Sequence, residues 1–485
     1  MTKHFEATFE SLSGYKCPEW FRDAKFGIWS HWGPQSVPMF GDWYARNMYI
    51  EGSQQYLYHI RHYGHPSKFG YKDLVKLWHA ENFDPEGLMD LYYKSGARYF
   101  MSQATHHDNF FNYDSKVNRF NSVNFGPHKD ICGLWKKAAD KRGMPFGMSE
   151  HLGASFAWWT VNKLSDTEGP YAGVPYDGND PENRDFYHDN YEYIDAVKDN
   201  RSRMPVWYTK NRKYHEYWYN SVREMVDLYR PDLIYTDGGL PFGDIGVSGA
   251  DDPNYKVGLD FLSYYYNTAA ERSGDGSVVY LQKDRRPEFY RIGTLDIEKS
   301  QLTDISPDPW HTDTCIGNWF YDVKQVYKKP GHIIEMLVDI VSKNGCMLLN
   351  VLQKPDGTID DEAKYILDGI GKWFAINSEG IYGTRPWRIA AEGASRVNPE
   401  GFTERKVDWM SGDYRFTAKN NVVYAFVMAA PADGTAVIRS FKERVKDVSL
   451  LGFGKCDFEQ PFGALNVKLP EKLPSETANC LKITL

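Results

Sequence analysis

The sequence predicts an α/β fold: a (β/α)8 TIM-like barrel followed by a C-terminal antiparallel β-sandwich. Three observations carry this. Apolar strand-like runs alternate with amphipathic helical segments through most of the 485 residues, several of those runs end in charged or imidazole side chains, and after about Tyr382 the pattern changes to short β-branched segments. Repeated strand-helix units at this spacing make a parallel barrel, whereas short strands divided by turn residues make a sandwich.

The strand-like runs are KFGIWSHW at 25–32, ARYFMSQATHH at 97–107, MPFGMSEHL at 144–152, DLIYTDGG at 232–239, VVYLQ at 278–282 and CMLLNV at 346–351. Between them, DPEGLMDLYYKSG and DICGLWKKAADKRG read as helices, the second closing on Gly143 as a C-cap. The segment 162–204, rich in Asp, Asn, Pro and Gly, does not read as a helix and is expected to lie as an extended loop over the barrel mouth. Beyond the linker IYGTRPW, the segments YRFTAKNNVVYAFVMA, TAVIRSF and VSLLGF are separated by turn residues. The division expected is a barrel over residues 1–380 and a sandwich over 381–485, with a packing or spacer role for the latter.

Composition narrows the partners. A net charge of -8 with no long basic run excludes nucleic acid and anionic membrane as natural partners, and no apolar run of membrane-spanning length is present. Aromatic residues make up 16% of the chain, which suits either stacking against sugar rings or a bulky core. The six cysteines form no CxxC pair, so neither a zinc site nor a disulfide framework is indicated and buried thiols are expected. The N-terminus is polar; export to the periplasm or medium is expected if a signal peptide has been removed, and a cytoplasmic location otherwise.

The chemistry is expected at the C-terminal ends of the strands, where such barrels keep it. There lie His31, then His106 and His107, then Glu150 and His151, then Asp237, then Asp284 and Arg285. Asp237 stands out, because an acid ending an apolar run is costly unless it has a task, and the two glycines after it let the chain turn and leave the carboxylate open. His106 and His107 lack the HxH or HxxxH spacing of a metal pair, and hydrogen bonding to substrate is the preferred reading, with no metal or organic cofactor.

Five blocks in order, at 25–49, 105–110 (THHDNF), 233–239, 342–359 (SKNGCMLLNVLQKPDGTI) and 379–387, resemble family 29 glycoside hydrolases, the α-L-fucosidases. The resemblance implies exo-acting, retaining hydrolysis of terminal α-L-fucosides from fucosylated oligosaccharides or glycoconjugates, through a fucosyl-Asp237 intermediate. It carries the family's fucose-binding histidines onto His31, His106 and His107 and its pocket tryptophan onto Trp43, beside Asp42 where relatives have Glu. The arginine falls on Arg285 and the aromatic beside the sugar's methyl group on Phe320, while Tyr235 stands where Trp or Phe is common. The acid/base falls on Glu298 in TLDIEKSQ, after the expected sixth strand, with Glu288 as second candidate. Two readings compete: an exo-glycosidase for another terminal sugar such as galactose, and a glycan-binding relative without catalysis. Homo-oligomerisation is left open.

Overall fold

A computed structural model describes residues 4–273, 277–397 and 404–485. Eight short parallel strands close into a barrel: β1 (Phe26–Ser30), β2 (Tyr99–Gln103), β3 (Phe146–Glu150), β4 (Leu233–Thr236), β5 (Val279–Gln282), β6 (Thr294–Asp296), β7 (Trp310–Cys315) and β8 (Gly345–Asn350). Closure is the pairing of β1 with both β2 and β8. Six of these strands lie in the apolar runs named above, and β6 falls just before Glu298. β7 lies outside them, because its sequence WHTDTC carries polar side chains although all six residues are buried.

Alternation sets the barrel's contents, since successive side chains on a strand point to opposite faces. Trp29, Tyr99, Met101, Leu233, Tyr235, Val279, Leu281, Cys346 and Leu348 form one core cluster inside the ring, plugged from below by Phe21 and Ala24 of the helix Glu19–Ala24. Gly27 is required here: a Cβ on it would sit 2.3 Å from the Tyr99 ring. The other face of each strand meets the helices. The helix Ile131–Arg142 shows how local sequence sets their ends, with Asp130 accepting from the Gly133 N–H and Gly143 closing the helix at φ 69°.

The segment 162–204 is more structured than a loop, folding into single helical turns such as Asp177–Asn179 and Arg184–Tyr187. Carboxylates tie it down: Asp177 accepts from the Tyr49 and Tyr187 hydroxyls at 2.6 and 2.7 Å, and Asp166 from Tyr56 and from His65 at 2.5 and 2.8 Å. The Arg46 guanidinium donates to the carbonyls of Arg201 and Arg203. No helix among the described residues is long and apolar enough to cross a membrane. All six cysteines are free, and all but Cys17 are buried.

Beyond the helix Asp361–Asn377, two antiparallel sheets pack face to face. The larger runs in the order β14 (Gly454–Lys455), β13 (Asp447–Leu450), β17 (Asn479–Thr484), β11 (Val422–Val427), β10 (Tyr414–Lys419), β9 (Arg385–Glu392). The smaller is β12 (Thr435–Ile438), β16 (Leu465–Lys468), β15 (Phe458–Glu459). Phe416, Val423 and Val448 of the first share a core with Ile438, Leu465 and Val467 of the second.

The sandwich is fastened to the barrel by a buried ion cluster. Asp339, on the helix Pro330–Ser342, takes the Arg415 guanidinium from β10 and the Lys343 ammonium at 2.6 Å, and the guanidinium lies over the Trp409 ring. Removing one partner of a buried ion pair ordinarily costs about 3–5 kcal/mol. Asp339→Ala, which strands two cations, is therefore expected to lose stability in that range by urea unfolding. A loss under about 1 kcal/mol would show that the cations find other partners.

Candidate active site

The site follows from the same alternation carried one residue past the strand ends. Trp29, Ser149, Tyr235 and Leu281 share the inward parity of their strands, so His31, His151, Asp237 and Lys283, each two residues on, point into the barrel mouth. Glu298, two residues past Asp296 of β6, follows in the same way, and β7 contributes Asp313 from within the strand. Glu150 has the opposite parity and points out to the helix Arg212–Tyr229, where its carboxylate accepts from the Trp218 indole N–H at 3.1 Å. It therefore leaves the set of strand-end groups around the mouth.

The cavity so formed measures about 240 Å3 and is lined by four of these inward groups, His31, His151, Asp237 and Glu298, together with Asp313. His106, His107, Asp42 and Trp43 complete the part foreseen from sequence. The chain turns away immediately after Asp237 at Gly238, whose φ of +130° favours glycine and whose added Cβ would meet the Tyr208 hydroxyl at 2.3 Å.

Asp237 is ionised. Burial works to raise its pKa, but the hydrogen bond from His107 Nε2 at 3.2 Å and the Lys283 ammonium at 3.6 Å outweigh it and hold the carboxyl well below the usual range. His107 also donates through Nδ1 to the His151 carbonyl at 2.7 Å, so both its nitrogens carry protons; against the effect of burial, its carboxylate partner raises its pKa.

Glu298 behaves oppositely. Burial raises its pKa, Lys283 at 2.7 Å opposes this, and the nearby carboxyls of Asp313 and Asp237 reinforce it. Since Lys283 Nζ reaches both acids, their nearest oxygens lie closer together than the sum of 2.7 and 3.6 Å. Two carboxyl groups about 5–5.5 Å apart are what a retaining glycosidase uses. Burial also raises Asp42 to about 7, its carboxylate accepting from the Trp43 backbone N–H at 2.8 Å.

Three neutral imidazoles face the ionised pair. His31, His106 and His151 can bring a nitrogen each within 4.8 Å of one another, a spacing that invites comparison with a metal site. Hydrogen bonding speaks for hydroxyl recognition instead. Gln35 accepts from the Ala45 N–H through Oε1, so its Nε2 donates to His106 Nδ1 at 2.8 Å and the His106 Nε2 that remains must carry hydrogen. His151 donates through Nδ1 to the Thr105 carbonyl at 3.0 Å, leaving Nε2 as an acceptor. Burial foremost, with neighbouring imidazoles, pushes His31 and His106 well down and His151 to about 3. A donor beside an acceptor matches sugar hydroxyls, which are both.

Two expected residues stand elsewhere. Arg285 is exposed on the surface, and the cation at the cavity is Lys283: parity from Leu281 places Lys283 inward, and by residue 285 the chain has left the strand for a turn held by Asp284 and Arg286. Phe320 stands behind the wall rather than on it, its ring 4.7 Å from His31 and 5.3 Å from His106, while its neighbour Trp319 lines the cavity. Glu288 is exposed on the single turn Pro287–Tyr290, away from the cavity. Sequence reading also missed Trp29, whose ring packs 4.9 Å from Tyr235; Asp313; and Trp207, which packs edge-on 5.4 Å from His107 and donates its N–H to the Asp237 carbonyl at 3.3 Å.

A family model described as Alpha-L-fucosidase matches residues 1–379, and one described as Alpha-L-fucosidase C-terminal domain matches residues 407–484. Tissue alpha-L-fucosidase of Rattus norvegicus is 28% identical over 496 residues, covering 99% of this chain and 93% of that protein. The Homo sapiens tissue alpha-L-fucosidase is 27% identical over 497 residues, covering 99% and 92%. Among solved structures, the Thermotoga maritima alpha-fucosidase in complex with fucose superposes with a TM-score of 0.75 at 26% identity, covering 99% of this chain and 100% of that one.

The protonation pattern is open to direct observation. In side-chain nitrogen NMR at pH 6, with resonances assigned by single His→Gln variants, His107 is expected to show the imidazolium signature and His151 the neutral one. A neutral His107 would remove the charge-pair account of Asp237.

Proposed function

The chain belongs to the α-L-fucosidase family, and on that premise we propose that Asp237 is the nucleophile and Glu298 the acid/base in its hydrolysis of terminal α-L-fucosides. The observation that carries the assignment is the single ammonium of Lys283 in contact with both acids, one ionised and the other with its pKa raised.

In the first step an Asp237 oxygen attacks the anomeric carbon while the bond from that carbon to the aglycone oxygen breaks. The electron pair leaves with that oxygen, which takes the proton of Glu298. Asp237 becomes a neutral ester and Glu298 a carboxylate. In the second step Glu298 removes a proton from water, whose oxygen attacks the same carbon from the opposite face and frees Asp237. His106 donates to a sugar oxygen, His151 accepts from a hydroxyl, and His31 offers its unpartnered Nδ1.

Apolar walls favour a methyl group over the hydroxymethyl of galactose, because a hydroxyl there would lose its partners in water and gain none. Trp29 and Trp319, with rings 5.6 Å apart, provide such a wall next to His31. We assign catalysis to residues 1–380, which among the described residues hold every cavity-lining side chain, and a packing role to residues 381–485. The substrate is a fucosylated oligosaccharide or glycoconjugate.

Two measurements test the roles. Asp237→Gly is expected to lower kcat by several orders of magnitude with the fold retained, and azide is expected to restore turnover by occupying the vacated space; a residual rate above about a tenth of wild type would exclude the residue as nucleophile. Glu298→Ala is expected to spare fucosides with good leaving groups, which need no protonation, and to cripple natural glycans. Equal losses on the two would move the acid/base elsewhere.

A further inference from the structure

Below the two acids lies a second pair of carboxyls that the reaction does not use. Asp296 of β6 and Asp313 of β7 are both fully buried, and the oxygen of each that has no hydrogen-bond partner turns toward the same Lys283 ammonium. Two carboxylates offer only acceptors, so a hydrogen bond between them requires a proton on one. The remaining contacts say which. Burial pushes the His311 imidazole down to about 3 and leaves it neutral, and since its Nε2 has no partner and an unpaired N–H there would be costly, the hydrogen sits on Nδ1 and is donated to Asp296 Oδ1 at 2.5 Å. Asp313 Oδ2 receives the Tyr235 hydroxyl at 3.2 Å. Asp296 Oδ2 and Asp313 Oδ1 have no hydrogen-bond partner apart from the ammonium beside them, and a proton carried by Asp313 satisfies both. The same two oxygens lie 3.4 and 3.8 Å from Lys283 Nζ.

We propose that Asp296 and Asp313 share one proton and act as positioning residues beneath Lys283, fixing the charge around Glu298 so that it keeps its proton until the aglycone takes it. The inference rests on Glu298 being the acid/base.

Charge counting shows what the pair does. Before reaction Lys283 and the doubly protonated His107 carry two positive charges, and Asp237 and the acid pair carry two negative ones, with Glu298 neutral. After the first step Asp237 is an ester and Glu298 a carboxylate, so the balance is unchanged. The negative charge has only moved from one contact of Lys283 to another. Without the pair's charge, an excess cation would face Glu298 at rest and draw its proton off early. Burial foremost, then mutual repulsion, raises Asp313 well above the usual carboxylate range, and burial raises Asp296 to about 6, in keeping with a held proton.

Other groups around the cluster are neutral or more distant members of the same balance. Tyr235 of β4 and Tyr99 of β2 have raised pKa values through burial, as does Asp42 after β1. His151 after β3 is neutral, and Lys299 beside Glu298 lies over the Trp319 ring at 4.8 Å.

The test is the pH profile of kcat/KM on a fucosylated disaccharide, whose poor leaving group needs the proton of Glu298, read by free fucose. Glu298→Ala is measured first and is expected to abolish the basic limb; if the limb persists, the acid/base assignment fails and not the pair. Asp313→Asn can donate an amide N–H to Asp296 as the protonated acid did, so its basic limb is expected where the wild type has it. Asp296→Asn/Asp313→Asn removes the pair's charge, and loss of a neighbouring negative charge favours ionised Glu298, moving the limb down by about one pH unit or more. An unmoved limb in the double variant, in a background where Glu298→Ala abolishes it, overturns the proposal. So does a clear downward shift in Asp313→Asn, which would mean that Asp313 itself carries charge at rest. If the double variant does not fold, the infrared difference between wild type and Asp313→Asn at neutral pH decides: a protonated-carboxyl stretch lost in the variant supports the shared proton, and its absence excludes it.

Discussion

Lys283 is the contact on which the rest of the site depends. One half-buried ammonium touches the nucleophile, the acid/base and the acid pair below, and this lets two carboxyl groups occupy neighbouring positions in different ionisation states. Without a shared cation, two acids this close in a buried setting would compete for one proton. What separates them is the second partner of each. Asp237 has the His107 imidazolium as well, whereas the pull of Lys283 on Glu298 is opposed by the carboxyls of Asp313 and Asp237. The division of labour between attacking and proton-donating acid is thus an outcome of which neighbours the barrel supplies.

The barrel supplies them through its two-residue period. Inside the ring, the apolar side chains of β4 and β5 give way to Asp237 and Lys283 one step past the strand ends, while β6 and β7 carry their polar residues within the strands. The polar character of those two strands is a structural cost: buried acids, a buried histidine and their hydrogen bonds replace hydrophobic contacts. Their neighbours are chosen to match, since each oxygen finds His311, Tyr235, Lys283 or a shared proton. The imidazoles on the opposite side are set with equal economy, Gln35 and the Thr105 carbonyl choosing the tautomers that turn a donor and an acceptor toward the sugar.

The remaining parts of the chain hold this arrangement in place. The long segment after β3, packed through tyrosine–carboxylate hydrogen bonds, leads into the stretch that delivers Trp207 against His107 and the Asp237 carbonyl, and so closes one side of the cavity. Among the described residues, the sandwich contributes no side chain to the cavity. Its buried Arg415 meets Asp339 on the helix that precedes β8, which ties the two units together from outside the ring.

Sequence by itself determined the barrel, the sandwich, the family resemblance and the groups that stand directly at the end of an apolar run, because hydrophobic periodicity and strand-end acids are local properties. His31, His151 and Asp237 were legible for that reason, and Lys283 was within reach by counting two residues from Leu281. Only the tertiary structure decided that the cation is Lys283 and not Arg285, that Trp319 and not Phe320 faces the cavity, and that WHTDTC is a barrel strand. Those outcomes depend on where a strand ends, which of two adjacent side chains turns inward, and which distant partners make a buried polar residue tolerable. Each is set by pairing across the ring, between residues that are far apart along the chain.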